Sequence, residues 1–210
     1  MIDYEKKISS QNGEDGIIEY LFNNIETTNK KFIEIGVGAR GSGKENNTVR
    51  LSHNGWNGWW FDCDPINYIP ASVQFQQKFI TAENISNIFK DNNLPIEFDL
   101  LSIDIDGMDY WVRKALYEYM PRVIVMEYNG WYNSSEEWVA SYFPNFIQKD
   151  KKHWGCSLKS FQILNNKLGY DLVYCEQRGV NAFFIRSDIN PFGSKQSEEI
   201  YIQLEYARNK

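Results

Sequence analysis

Cysteine is scarce in this chain. Cys63, Cys156 and Cys175 are odd in number and far apart. That excludes a disulfide framework and a CxxC zinc pair, and predicts reduced intracellular thiols. No apolar run approaches the roughly 20 residues of a membrane helix, so no membrane span is expected. The opening "MIDYEKKISSQNGEDG" lacks the apolar core of a signal peptide, which predicts a cytoplasmic protein. Lys and Arg never gather into a long block, and the net charge is -6. Long-range attraction of nucleic acid is thereby excluded. Histidine is limited to His53 and His153, which leaves few candidates for a general base.

What is abundant is apolar and aromatic. The 210 residues are 42% hydrophobic, which suits a single domain, residues 1–210, with a full core. Aromatics reach 16% and include seven Trp; they fill a core or, on loops, form a surface for rings and sugars. In "EDGIIEYLFNNI" (14–25) the apolar residues fall on one helical face. Short apolar strands follow at "KKFIEIGVG", "GWWFDCDP", "VQFQQKFIT", "FDLLSIDID" and "PRVIVMEYN". Helical stretches lie between them at 45–56, 82–93 and 108–120. "SLKSFQILNNKLGY" reads as a helix closed by Gly169, and 194–210 as a terminal helix. This alternation predicts an α/β fold with a mostly parallel sheet. The final strands, "DLVYCEQ" and "NAFFIR", are joined by only three residues. That is too short for a parallel crossover, so one sheet edge is expected to be antiparallel.

The first strand runs into Gly36-x-Gly38-x-x-Gly41, and Asp62 closes the next strand. Glycines there allow a tight turn and close approach of backbone to a ligand, and the acid can accept ribose hydroxyls. Two cofactor classes fit, a nicotinamide dinucleotide and S-adenosylmethionine. Glu34 and Glu45 flank the loop; they would repel a diphosphate and suit an amine or sulfonium.

The runs "FIEIGVG…ENNT", "GWNGWWFDCDP", "FDLLSIDIDGMDYW" and "RVIVMEYN" resemble the FkbM-type class I S-adenosylmethionine-dependent methyltransferases. "SQNGEDGII" and "GCSLKSFQILNNKLGYDLVYCEQRGVNAFFIR" extend the likeness over most of residues 9–186. The resemblance implies a Rossmann-like, seven-stranded sheet with the last strand antiparallel and helices on both faces. It also implies methyl transfer to a hydroxyl of a sugar, glycan or other small molecule. Glu34, Gly36 and Gly38 match the family's glycine motif, with Asn46 in the "ENNT" run. Asp62 matches its ribose-binding acid, although Asp-Cys here replaces the usual Glu-Pro. Thr81 is placed near the adenine and Gln11 over the cofactor.

Alternation along "SIDID" sends Asp104 and Asp106 to one side at the ligand end of the sheet. Asp99 is expected to be solvated at the opposite end, and Asp109 to favour the dipole of the following helix. Glu127 and Asn129 end the adjacent strand. Asp104, Glu127 and Asn129 would suit Mg²⁺ or another divalent cation. Alternatively Asp104 holds the cofactor amine while Asp106, Glu127 and Asn129 bind substrate hydroxyls. The base is His153 or Asp106. The long insertion 130–155 is read as a substrate lid whose Trp131 and Trp154 stack on the acceptor; a satellite core or a homo-oligomer contact is the alternative. Against the methyltransferase stand a nicotinamide oxidoreductase and a non-catalytic binding module.

Overall fold

The structure, a computed structural model, describes residues 1–37, 46–146 and 152–204. Gly38, Gly41 and Glu45 of the glycine loop lie outside the described residues. Seven strands form one sheet: β1 (Lys31–Ile35), β2 (Asn57–Asp62), β3 (Val73–Gln77), β4 (Glu97–Ile103), β5 (Met120–Glu127), β6 (Tyr170–Cys175) and β7 (Asn181–Arg186). Their order is β3-β2-β1-β4-β5-β7-β6. The five strands from β1 to β5 run parallel, and β7 is antiparallel to both of its neighbours. This is the Rossmann-like sheet of class I methyltransferases, with its order reversing between β1 and β4.

Alternation along the strands feeds two cores. Ile33, Ile35, Leu101, Ile103, Ile124 and Met126 pack into one. It also receives α3 (Ile85–Asp91), α4 (Asp109–Ala115) and α5 (Leu158–Lys167). Phe32, Trp60, Leu100, Val123 and Val125 pack into the other, beneath α1 (Glu14–Asn24) and α2 (Val49–His53). Helices therefore cover both faces, as the near-continuous apolar strands require. Ser157 caps α5 by accepting from the Ser160 N–H at 3.2 Å, and Gly169 follows its end at φ +84°.

Several helices are shorter than their patterns suggest: 82–93 gives only α3, and 108–120 gives only α4, with Met120 already in β5. The stretch 45–56 yields only α2, because the residues just before it are committed elsewhere. The Asn47 N–H donates to Glu34 Oε1 at 2.8 Å, and the Thr48 hydroxyl donates to the other Glu34 oxygen. The C-terminal stretch yields only α6 (Ser197–Ile200) before the chain extends again, and 205–210 lie outside the described residues. No described helix is long and apolar enough to cross a membrane.

Candidate active site

Sheet register builds the site. Phe61, Ile35, Ile103 and Met126 form one row across four parallel strands. The next residue on each strand is Asp62, Gly36, Asp104 and Glu127. Three carboxylates thus leave the carboxyl edge of the sheet together, where neighbouring strands lie about 4.8 Å apart. Open α/β sheets bind ligands at this edge.

Gly36 is fixed by sterics. Its φ is +81°, and a Cβ there would lie 1.5 Å from the Asp104 carbonyl oxygen. The absence of a side chain lets β1 and β4 close together, with the Asp104 N–H donating to Ile35 O at 2.9 Å. Asp62 accepts from the Val37 N–H at 2.7 Å and from the Asp64 N–H at 2.8 Å. It thereby ties the start of the glycine loop to the end of β2.

A cavity of about 480 Å³ opens above this row. Gln11, Gly36, Asp62, Asp104, Asp106 and Glu127 all line it. Asp106 does not arrive by strand alternation. β4 stops at Ile103, and Asp106 adopts a left-handed φ of +55° in the turn beyond. Asp109, the first residue of α4, pins that turn: its carboxylate accepts from the N–H groups of Ile105 and Gly107, each at 2.9 Å. A Cβ at Gly107 would meet the Phe146 ring at 2.2 Å, so the ring would have to move aside.

Oxygens of Asp104, Asp106 and Glu127 lie within 4.8 Å of one another. Burial, then the charges of Asp109 and Asp106, push the Asp104 carboxyl up to about 8. Burial and Asp104 raise Glu127 well above the carboxylate range, and burial with Asp62 raises Asp106. Asp104 and Glu127 face each other with a carboxylate oxygen of each inside that 4.8 Å distance. The buried Glu127 Oε2 has no hydrogen-bond partner among the described residues, and two such carboxyl groups can bond to each other only when one is protonated. The cluster therefore holds either a proton or a cation. Three hard oxygen donors of net negative charge fit Mg²⁺ or a similar divalent ion.

Other expected residues lie elsewhere. Glu34 is buried beneath the site, pushed up to about 7 by desolvation, with the Thr48 hydroxyl and Asn47 N–H opposing the shift. Asn46 is buried with no side-chain partner among the described residues. The Thr81 N–H is bonded to Asn84 Oδ1 at 2.9 Å, and Lys78, Phe79 and Ile80 take the place beside the cavity that was expected of Thr81.

Asn129 is not part of the acidic cluster. Its amide nitrogen donates to Lys152 O and Trp154 O, each at 2.8 Å, and its oxygen accepts from the Trp131 N–H at 3.0 Å. Pleat alternation ends at Glu127, so the Glu127-x-Asn129 spacing does not bring the two to one face. His153 is exposed and does not line the cavity. Trp154 is buried, and neither it nor Trp131 lines the cavity. Tyr132 and Trp138 stack at 4.3 Å, so this half of the insertion packs on itself. Among the described insertion residues, Pro144 and Phe146 reach the cavity. Phe146 left a trace in the sequence only through its partner Gly107, which could not be matched to it without the fold.

Asp99 is the opposite of solvated. It is fully buried and accepts from the Thr28, Asn29 and Lys30 N–H groups at 2.8, 3.1 and 2.7 Å. Arg122 lies 3.6 Å away. It stands at the far end of β4 and belongs to the scaffold.

No family model matches the chain, and no curated protein matches it. Among solved structures it is similar to the MycE methyltransferase of the mycinamycin biosynthetic pathway in complex with Mg, SAH and mycinamycin VI. The identity is 16% over 80% of this chain and 47% of that one, with a TM-score of 0.48. It is also similar to magnesium protoporphyrin IX methyltransferase (ChlM) from Synechocystis PCC 6803 with bound SAM. There the identity is 10% over 83% of this chain and 78% of that one, with a TM-score of 0.49. The chain thus spans about half the length of the MycE protein. The fold assignment rests on the chain's own strand order and not on these superpositions.

Proposed function

We propose that the protein is an S-adenosylmethionine-dependent O-methyltransferase of FkbM-like type, acting on a hydroxyl of a sugar or glycan. The observation that carries this is the row of Asp62, Gly36, Asp104 and Glu127 at one sheet edge, opening into a single cavity. Asp62 receives the ribose hydroxyls, Gly36 lets the backbone approach, and Phe79 and Ile80 offer an apolar wall to the adenine. S-adenosylmethionine supplies a methyl group on a sulfonium that leaves readily. The cavity is dominated by carboxylates, with Lys78 as the one Lys or Arg among its described lining residues. That charge favours a cationic cofactor over a dinucleotide, whose diphosphate it would repel.

Asp104 and Glu127, with Asp106, would hold a divalent ion, which would lower the pKa of a bound hydroxyl and fix its direction. Without a bound ion, Asp106, raised by burial and by Asp62, would take the hydroxyl proton instead. Pro144 and Phe146 of the insertion exclude water from one side. Holding the acceptor oxygen in line with the methyl group supplies most of the rate, roughly 7–11 kcal/mol.

Calorimetry with S-adenosylhomocysteine tests the reading. Saturable binding is expected, weakened roughly 10- to 100-fold in Asp62→Ala by loss of charge-assisted hydrogen bonds. A folded protein that does not bind it would sink the proposal.

A further inference from the structure

A second cavity, of about 500 Å³, lies beside the first, and Gln11 lines both. Its character is reversed. Among its described lining residues are Lys6, Lys7 and Arg178, against the one carboxylate of Glu5. That carboxylate is occupied: it accepts from the Tyr174 hydroxyl at 2.7 Å and the Gln177 N–H at 2.9 Å. Among the described residues no carboxylate pairs with Lys6 or Lys7. Among the described residues Lys7 Nζ donates to Gln11 O alone, at 2.6 Å, and an ammonium carries three donors. In a chain of net charge -6, Lys6 and Lys7 together at one cavity, with no carboxylate partner among the described residues, are not background composition.

The walls are built rather than loose. The Lys6 N–H donates to Gly13 O at 3.2 Å, and Lys6 O accepts from the Gly16 N–H at 3.1 Å. The buried Asp15 carboxylate gathers the N–H groups of Ile8, Ser9 and Ser10 at 2.6–2.8 Å. Arg178 sits in the turn between β6 and β7, which is held by the buried Glu176 accepting from the Arg178 and Val180 N–H groups. Asn181 pairs with Glu127 across β7 and β5, so this turn lies at the same sheet edge as the acidic cluster.

We infer that the second cavity receives a phosphate or diphosphate borne by the acceptor, while the acceptor's hydroxyl lies at the acidic cluster and Gln11 stands at the junction. The inference rests on the methyl-transfer reading of the first cavity. A single carboxylate is satisfied by one Arg or Lys; several converging cations suit a multiply charged anion. The two cavities together orient such a molecule, because its anionic end is repelled by the first and attracted by the second.

The test titrates inorganic pyrophosphate into the protein saturated with S-adenosylhomocysteine. Saturable binding is expected, weakened about tenfold by Lys6→Gln and further by Lys6→Gln with Lys7→Gln. Both lysines are at the surface, so S-adenosylhomocysteine affinity should be unchanged in the variants. Glucose 1-phosphate should bind at least about tenfold more tightly than glucose. Two results overturn the inference: no pyrophosphate binding by protein that binds S-adenosylhomocysteine, or equal binding by the double variant and the parent. Failure to bind S-adenosylhomocysteine strikes the methyl-transfer reading instead, and the acceptor role with it.

Discussion

Asp99 and Glu34 are both buried acids, yet the structure uses them differently. Asp99 is surrounded by donors from the 28–30 loop and faces Arg122. Asp99→Ala leaves three N–H groups without an acceptor and removes the charge that faces Arg122. A loss of roughly 3–5 kcal/mol is expected in denaturant unfolding, the range for breaking a buried charged pair. Cofactor affinity below the melting point should not change, since Asp99 lies at the opposite sheet edge. Glu34 is pushed up from 4.5 to about 7. Between those values the folded state holds a proton that the unfolded chain has lost. Its contribution to stability is therefore full below pH 4.5 and declines as pH rises through 7. Melting curves of Glu34→Gln against the parent should show the parent losing more stability over that window. A parent and variant with parallel pH profiles would contradict the assignment.

At the scale of elements, the turn after β4 decides the site. Asp109 holds it through two N–H groups, and the Gly155 N–H donates to Gly107 O at 2.9 Å, joining the insertion to the same turn. Asp109→Ala frees both N–H groups in a buried setting, at a cost of roughly 2–4 kcal/mol. Binding at the acidic cluster should weaken with it, because Asp104 and Asp106 lose their common frame. Gly36→Ala forces β1 away from the Asp104 carbonyl. A destabilisation of roughly 3 kcal/mol or more is expected, together with loss of cofactor binding in calorimetry. Seven strands, their alternation with helices and the antiparallel edge were legible from apolar runs and connection lengths alone. The site was legible in part. Asp62, Asp104 and Glu127 stand where strand ends predict, because parallel register aligns strand ends. Asp99 was misread because its donors come from about 70 residues earlier in the chain, a distance no local pattern reports. Asn129 was misread because two-residue periodicity stops where the strand stops. His153 has the right chemistry for a base, but a sequence does not tell exposed from cavity-lining loop residues.

Over the whole molecule, charge is sorted by place. The chain is acidic, the first cavity more so, and the second is basic. A cation bound at Asp104, Asp106 and Glu127 would offset the repulsion among these carboxylates. Magnesium at a hundredfold excess over its Kd should add about 2.7 kcal/mol of stability. Thermal melts should then shift upward by roughly 5–10 °C for a chain of this size. Asp104→Asn should abolish the shift, whereas Asp99→Ala should retain it. An unchanged melting temperature across a magnesium titration would remove the metal from the proposal.

The network around Glu34 has an optical consequence. The Trp60 indole N–H donates to the Thr48 hydroxyl at 2.8 Å, and that hydroxyl donates to the Glu34 carboxylate. One fully buried fluorophore is thus a single hydroxyl away from a carboxyl group that changes charge near neutrality. A field that changes beside an indole shifts its emission. The difference spectrum between the parent and Trp60→Phe should follow pH with a midpoint near 7, so that this internal proton is read by light.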